Sequence, residues 1–258
     1  MLEKPPTLSL IFVNYNSSSY LTKALESILY HEDPARYEII IVNNDRQEKD
    51  RIEILGLQHS AKVIQSEGNV GFAKAVNQGV RAATTSLVGL LNPDILWVQT
   101  QLEQIETGLN TEDSLMGLSL FDREGKREEY GFGRQIHFWR LIENHIFGVI
   151  PSVSGKKRVD WVSGGALFFR RETFEKLSGF DEHYFLYYED VDFCERARQA
   201  GYPAYVYEDL RVTHFRGQSQ KSPKEQKKAY YQSQRYYFQK MRPWYEQILL
   251  KGFHFFLT

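Results

Sequence analysis

LSLIFVNYN, Leu8 to Asn16, is the stretch from which the architecture follows. Leu8 to Val13 is an apolar run of the length a buried strand needs, and it stops in the turn-forming cluster NYNSSS. The pattern recurs downstream. Glu38 to Val42 (EIIIV) ends in Asn43, Asn44 and Asp45, Lys62 to Gln65 (KVIQ) is followed by Glu67-Gly68-Asn69, and Leu87 to Leu91 (LVGLL) ends in Asn92-Pro93-Asp94. Between these runs, Tyr20, Leu21, Ala24, Leu25, Ile28 and Leu29 recur at helical spacing, and a helix is predicted over Ala73 to Ala82. Strands alternating with helices predict an α/β chain of parallel βαβ units with helices on both faces. Such sheets bind ligands outside the carboxyl ends of their strands, which is where all four polar clusters fall.

The second half is less regular. Arg123 to Arg158 mixes Gly, charged and aromatic residues and reads as a long excursion or a mobile segment. Asp160 to Arg170 (DWVSGGALFFR) reads as a turn entering a strand, and Tyr202 to Tyr207 (YPAYVY) as a further short strand with His214 beyond it. Gln218 to Lys228 is polar enough for a linker. Tyr230 to Phe238 and Trp244 to Leu257 are aromatic-rich and read as helical.

At 258 residues, 42% hydrophobic and 25% charged, the chain is long and apolar enough for one large core with room for an appendage. The lone Cys194 excludes an internal disulfide and fits a reducing compartment. No basic segment followed by an apolar one opens the chain, and no run of about 18 apolar residues occurs, so the expectation is cytoplasmic without a spanning helix. The net charge of −1 hides an asymmetry. Residues 216–258 hold nine Lys/Arg and two Asp/Glu, a balance of +7, which leaves −8 for residues 1–215. A basic tail on an acidic body suits membrane lipid, a phosphorylated acceptor or nucleic acid, and equally a solvated linker.

Four constellations can carry chemistry. Gly179 to Phe193, GFDEHYFLYYEDVDF, sets Asp181, Glu182, Glu189, Asp190 and Asp192 among Phe180, Tyr184, Phe185, Tyr187 and Tyr188. Carboxylates beside rings are where a pKa can shift toward general-base work. Acids at the start of a helix are also favoured by its dipole alone, and both readings stand at this point. Asn92-Pro93-Asp94 follows a buried strand; Pro93 cannot continue the ladder, so Asp94 is presented at its end. One carboxylate plus substrate phosphates suffices for Mg²⁺ or Mn²⁺, although an Asn and Asp bonding their own turn would look the same. Asn69-Val70-Gly71 and Asn77-Gln78-Gly79 frame a helix start that suits a polar or anionic ligand. This is neither GxGxxG nor GxxxxGK[ST], which argues against dehydrogenases and P-loop enzymes. A lone His such as His214 is more often packing than ligand. No zinc or Ser-His-Asp spacing stands out.

Taken in order, VNYN, IIIVNN, NVGFAKAVNQG, LLNPD, VDWVSGGALFFRR, GFDEHYFLYYEDVDFCERARQAGY and a late His resemble the family 2 inverting glycosyltransferases, and most of all their rhamnosyltransferase-like branch. The resemblance covers about residues 7–216. It implies the GT-A fold, a Rossmann-like nucleotide-diphospho-sugar transferase with a mixed, mainly parallel central sheet flanked by helices. Residues 1–216 would be the catalytic domain, and 217–258 a basic, aromatic, helical tail.

By the same resemblance, Asp190 is the general base, and Asp94 holds Mg²⁺ or Mn²⁺, with Asn92 in the first place of the family's DxD and His214 able to join the metal. Asn43 stands where the family usually has an Asp that bonds the pyrimidine base; the amide keeps an acceptor but loses the charge. Asn14, Asn69, Gly71, Asn77, Asn92, Trp161, Gly164 and Glu189 complete the expected substrate-binding set. The implied donor is a nucleotide-diphospho-sugar, dTDP-rhamnose or a UDP-sugar. The implied acceptor is a hydroxyl of a polysaccharide or lipid-linked glycan, reached through peripheral contact of the tail with the inner membrane face, and no nucleic acid is expected. Two other classes were weighed. A sugar-nucleotide nucleotidyltransferase needs a Gly-rich basic N-terminal loop, which NYNSSSY is not. A non-catalytic partner in polysaccharide assembly fits poorly with retention of both Asp94 and Asp190, though Asn43 leaves room for it.

Overall fold

The computed structural model describes residues 5–128, 130–147, 155–215 and 223–257. Strands β1 (Leu8–Asn14), β2 (Tyr37–Asn43), β3 (Lys62–Gln65) and β4 (Leu87–Leu91) alternate with helices α1 (Ser18–His31), α2 (Lys49–Gln58) and α3 (Phe72–Ala82). The physical cause is visible in β1, where every residue is buried. Leu8, Leu10 and Phe12 join Leu21, Leu25 and Ile28 of α1 in one cluster, while Ile11 and Val13 join Ala75, Val76 and Val80 of α3 in another. Side chains alternate across a strand, so a sheet covered on both faces needs apolar residues at every position. Each such side chain contributes about 1.5–3 kcal/mol by leaving water.

Downstream come β5 (Ile95–Trp97), α4 (Leu102–Thr111), β6 (Leu115–Phe121), β7 (Phe132–Gly133), α5 (Phe138–Phe147), β8 (Lys156–Val159), β9 (Trp161–Val162) and β10 (Ala166–Arg170). They are followed by α6 (Arg171–Lys176), α7 (Glu189–Gln199), β11 (Ala204–His214), α8 (Pro223–Met241) and α9 (Trp244–Leu257). The main sheet runs β3-β2-β1-β4-β10-β6-β11-β5 with β8 also on β11, and β7 pairs β9 in a small ribbon. Strands β10, β5 and β8 run against the rest, so the sheet is mixed and mainly parallel. The carboxyl ends of β1, β2, β4, β6 and β11 therefore share one edge.

Three local expectations change. His214 is the last residue of an eleven-residue β11, not a residue beyond a short strand, because β11 continues past an irregularity after Tyr207 to pair with β5. The described part of the 123–158 excursion is ordered into β7, α5 and β8, and residues 148–154 lie outside the described residues. The linker expected over 218–228 is helical from Pro223, while 216–222, including the expected domain boundary, lie outside the described residues.

The tail helices share the core. Tyr237, Phe238 and Leu250 are at most 1% exposed and belong to the cluster that holds Val191 and Phe193. Polar contacts fix α8 against the Gly179–Phe193 segment: Ser233 Oγ donates to the Leu186 carbonyl (2.7 Å) and Tyr236 OH to Asp181 (2.9 Å). Lys240 Nζ lies 2.7 Å from both Asp181 Oδ2 and Asp192 Oδ1.

Burial opposes ionisation of Asp181, but hydrogen bonds from Lys240, His183 and Tyr236 hold its carboxyl far below the ordinary value of 3.8. A depressed carboxylate contributes stability above its unfolded pKa, and that contribution is lost as pH falls toward the folded one. Lys240→Met is therefore expected to cost about 1–3 kcal/mol at pH 7. The cost should shrink below about pH 4. Urea unfolding at the two pH values checks this, and equal losses at both would reject the ion-pair account.

Candidate active site

The chain brings two carboxylate centres to the carboxyl edge of the sheet. Pro93 ends the β4 ladder, and β5 then pairs antiparallel with β11, His214 opposite Ile95. The Phe215 amide donates to the Asp94 carbonyl at 2.8 Å, which seats Asp94 beside the end of β11. There His214 Nε2 lies 3.1 Å from Asp94 Oδ1, while Nδ1 lies 3.0 Å from Glu128 Oε1. The side chains are 14%, 16% and 4% exposed for His214, Asp94 and Glu128. Burial alone would lower the imidazole pKa, but the hydrogen bonds to Asp94 and Glu128 outweigh it and push His214 up to about 9. Without a competing cation, His214 is thus an imidazolium held between two carboxylates at neutral pH.

The second centre is the start of α7. Tyr187 and Tyr188 both have φ of 69°, a left-handed conformation that side chains with a Cβ disfavour. Two successive residues there are sustained by packing: Tyr188 is buried, its hydroxyl accepts from Gln234 Nε2 (2.8 Å) and lies 3.2 Å from that of Tyr230. This sharp entry sends Glu189 inward and leaves Asp190 half-buried. Asp190 Oδ2 accepts from the Gly164 amide (2.9 Å) and Oδ1 from the Val191 amide (2.8 Å). Glu189 is 4% exposed, and its Oε2 has no hydrogen-bond partner among the described residues. Burial, then the neighbouring Asp190 charge, raises Glu189 well above the carboxylate range. Burial raises Asp190 as well, opposed by the Gly164 and Val191 amides. Of the pair, Asp190 is the one whose charged form is favoured by two amide donors.

The Ser163-Gly164-Gly165 turn ties the two regions together. Gly164 donates to Asp190, and the Gly165 carbonyl accepts from the Asn92 amide at 2.9 Å. A Cβ on Gly165 would sit 3.3 Å from Asn92 Nδ2. Gly71, with φ of 88°, is needed for the same kind of close approach: a Cβ there would stand 2.8 Å from the Phe185 carbonyl. That carbonyl accepts from the Phe72 amide at 2.8 Å, fastening the start of α3 to the Gly179–Phe193 segment.

Several expected binding residues spend their side chains on the frame instead. The Asn77 amide donates to the Phe180 carbonyl and Glu182 and accepts from the Phe180 amide, each at 2.9 Å, so it holds the approach to α7 and does not reach Asp94 or Asp190. Asn43 is 1% exposed and fully engaged: Nδ2 donates to Gln65 and the Asp45 carbonyl (both 2.8 Å), and Oδ1 accepts from Asn14 (2.9 Å) and the Asp45 amide (3.1 Å). Asn14 also donates to Glu48, whose carboxylate caps the start of α1 through the Ser17 and Ser18 amides. Asn69 accepts from the Gly71 amide (3.2 Å), and Trp161 Nε1 donates to the Arg134 carbonyl (3.0 Å).

Most rings of the Gly179–Phe193 segment are packing. Phe180 and Phe193 meet at 5.3 Å and both touch Phe174. Glu128 and Gln234 are the partners that sequence reasoning missed. Each is a polar residue in a mixed stretch, and no spacing rule points to either.

Among the described residues, no three His, Cys, Asp or Glu surround a common metal position. Asp94 Oδ1 and His214 Nε2 nonetheless face each other, and Glu128 on Nδ1 gives His214 the carboxylate partner that metal-bound histidines usually have. Two protein ligands with phosphate oxygens and water fit a Mg²⁺ or Mn²⁺ site, and loading it would displace the Nε2 proton.

Comparison with known proteins identifies the family. A family model described as glycosyl transferase family 2 matches residues 9–178, and one described as the N-terminal domain of galactosyltransferase matches residues 144–218. The chain is similar to the low-salt glycan biosynthesis hexosyltransferase Agl10 of Haloferax volcanii, 28% identical over 74% of this chain and 62% of that protein. It is 27% identical to the rhamnosyltransferase WbbL of Escherichia coli over 80% of this chain and 82% of WbbL. It is also 22% identical to the N-acetylglucosaminyl-diphospho-decaprenol L-rhamnosyltransferase of Mycobacterium tuberculosis, over 82% and 77%. The crystal structure of GalNAc-T7 with UDP, GalNAc and Mn²⁺ superposes with a TM-score of 0.65 at 16% identity, covering 83% of this chain and 44% of that one. The mixed sheet is the GT-A arrangement, and the family model covers the strands that end at Asn14, Asn43 and Leu91 and the turn at Gly164. The chain belongs to glycosyl transferase family 2.

Proposed function

We propose that the protein transfers a sugar from a nucleotide-diphospho-sugar, dTDP-rhamnose or a UDP-sugar, to a hydroxyl of a polysaccharide or lipid-linked acceptor, with inversion. The observation that carries this is the turn at Ser163–Gly165, which bonds Asp190 through Gly164 and Asn92 through Gly165. A base and a diphosphate-holding end of β4 thereby flank one backbone turn.

In this reading the acceptor hydroxyl gives its proton to Asp190 as its oxygen attacks the anomeric carbon from the side opposite the leaving group. Burial raises the basicity of Asp190 and disfavours a second charge on Glu189 beside it. Asp94 and His214 would hold Mg²⁺ or Mn²⁺, which as a Lewis acid offsets charge growing on the nucleoside diphosphate. Glu128 orients His214 for that role. The Gly164 and Val191 amides keep Asp190 in one orientation before the acceptor arrives. Rhamnosyl transfer is supported by the similarity to two rhamnosyltransferases, one of which is named for a diphospho-decaprenol acceptor. Such an acceptor fits work at the inner membrane face, reached peripherally through the C-terminal helices. With Asn43 saturated by Asn14, Gln65 and Asp45, base recognition falls to other groups or to a rearranged amide.

Thermal shift over dTDP-, UDP- and GDP-sugars, with and without Mn²⁺, tests the reading. At a ligand concentration about 100 times Kd, the right donor should stabilise the fold by about 2.7 kcal/mol. No shift with any nucleotide sugar would reject donor use, and a product of retained configuration by NMR would reject inversion.

A further inference from the structure

Helix α9 leaves an apolar stripe in the open. Trp244, Tyr245, Ile248 and Leu249 are 70%, 50%, 59% and 38% exposed. Their spacing of i, i+1, i+4 and i+5 puts them on one helical face, while Glu246 and Leu250 on the other are buried. Helix α5 adjoins it: the Phe138 amide donates to Glu246 Oε2 at 2.8 Å, and the rings of Phe138 and Phe253 meet edge to face at 6.1 Å. The next residue on α5, Trp139, is 60% exposed. Two tryptophans, a tyrosine and two aliphatics on adjoining helices are more than the scattered apolar residues of an ordinary surface.

Of the aromatic residues that the sequence shows in the tail, Trp244 belongs to this stripe and others do not. Tyr237 and Phe238 are buried, Tyr230 and Tyr236 are engaged by Tyr188 and Asp181, and the side chains of Phe255 and Phe256 lie outside the described residues.

Charge selects the occupant. Lys224, Lys227, Lys228 and Arg235 of α8 line one shallow depression with Tyr231, and Lys251 is exposed at the margin of the α9 stripe. Of the two acids in residues 216–258, Glu246 is turned inward onto α5. A second copy would set one +7 segment against another. An acidic protein partner would match the lysines but leave the stripe unexplained. An anionic lipid surface takes both, since Trp and Tyr settle at headgroup level and lysines meet lipid phosphates.

We propose that α5 and α9 lie on an anionic membrane leaflet, with Trp139, Trp244, Tyr245, Ile248 and Leu249 entering the headgroup layer and the lysines of α8 and Lys251 facing lipid phosphate. No helix among the described residues is long and apolar enough to span, so the contact is peripheral. The inference rests on the transferase reading only in giving the lipid-linked acceptor a surface.

The test is co-sedimentation of the full chain, without donor or acceptor, with vesicles of phosphatidylcholine alone or with about 30% phosphatidylglycerol. Binding to the anionic vesicles should weaken markedly between about 0.05 and 0.5 M salt. Trp244→Ser combined with Ile248→Ser should weaken it at least about tenfold, and so should Trp139→Ser to a lesser extent. Unaltered unfolding curves would show these variants folded. Lack of wild-type binding to anionic vesicles, or equal binding by both variants, overturns the proposal. Concentration-dependent dimerisation that the double variant abolishes would assign the stripe to a second copy instead. Donor binding, measured separately by calorimetry, fails only if the transferase reading is wrong.

Discussion

Asp190→Asn is expected to lower turnover by about 10² to 10⁴ while leaving donor affinity within a factor of about two. The substitution keeps the shape but only one of the two acceptor oxygens, so it can serve the Gly164 amide or the Val191 amide but not both. What is lost is the carboxylate of the pair whose charged form the two amides favour. The loss corresponds to about 2.7–5.4 kcal/mol of transition-state stabilisation. A pH profile adds a readout that a structural role would not move. The base works only when ionised, and burial raises the Asp190 pKa, so kcat/KM should climb with pH on a limb displaced upward from an exposed carboxylate. In Asp190→Asn that limb should vanish from the residual rate. Near-normal turnover, or an unchanged acid limb, would remove Asp190 from the role of base.

The parallel half of the molecule was legible because its strands are buried on both faces. A run such as Leu8–Val13 has Ser9 as its one polar position, and it stops sharply at Asn14. The strands β5 and β6, which close the other half of the sheet, escaped sequence reading. The three-residue β5 is too short to show a period, and its place depends on pairing with β11, which lies more than a hundred residues later. The same limit applied to the site. Asp94 and Asp190 stand at element ends where punctuation marks them, Pro93 for one and a run of acids and rings for the other. Glu128 is joined to His214 only by the fold, across 86 positions. Asn14 and Asn43 end their strands and Asn77 lies midway along α3, and position alone does not reveal what their amides bond. The acids of the Gly179–Phe193 segment divide by their contacts. Asp181 and Asp192 are structural ion pairs with Lys240, and Asp190 alone among its acids bonds the Ser163–Gly165 turn.

Asp94→Ala should abolish the increment that Mg²⁺ or Mn²⁺ adds to donor binding and cut turnover by about 10³ or more. In the proposed reading two protein groups meet the metal, and a carboxylate is the one of the pair that brings negative charge to a dication. His214 alone is a poor substitute, since Glu128 holds it as an imidazolium that must first lose a proton. Removing Asp94 takes away one of the two hydrogen bonds that raise His214, so its pKa should fall, and a weak metal response at high pH is the most that should survive. Glu128→Gln separates ligand from support. It leaves Asp94 in place and should weaken metal affinity about 10- to 100-fold without abolishing it. Calorimetric titration of donor with and without Mn²⁺, run on wild type and both variants, reads these effects directly. If Asp94→Ala keeps the full metal increment, the ion sits elsewhere. Titration of wild type in chelator tests the need for an ion itself: a chain that needs no metal should bind donor equally well there, using the His214 imidazolium as its cation, and wild type should then show no metal increment for Asp94→Ala to lose.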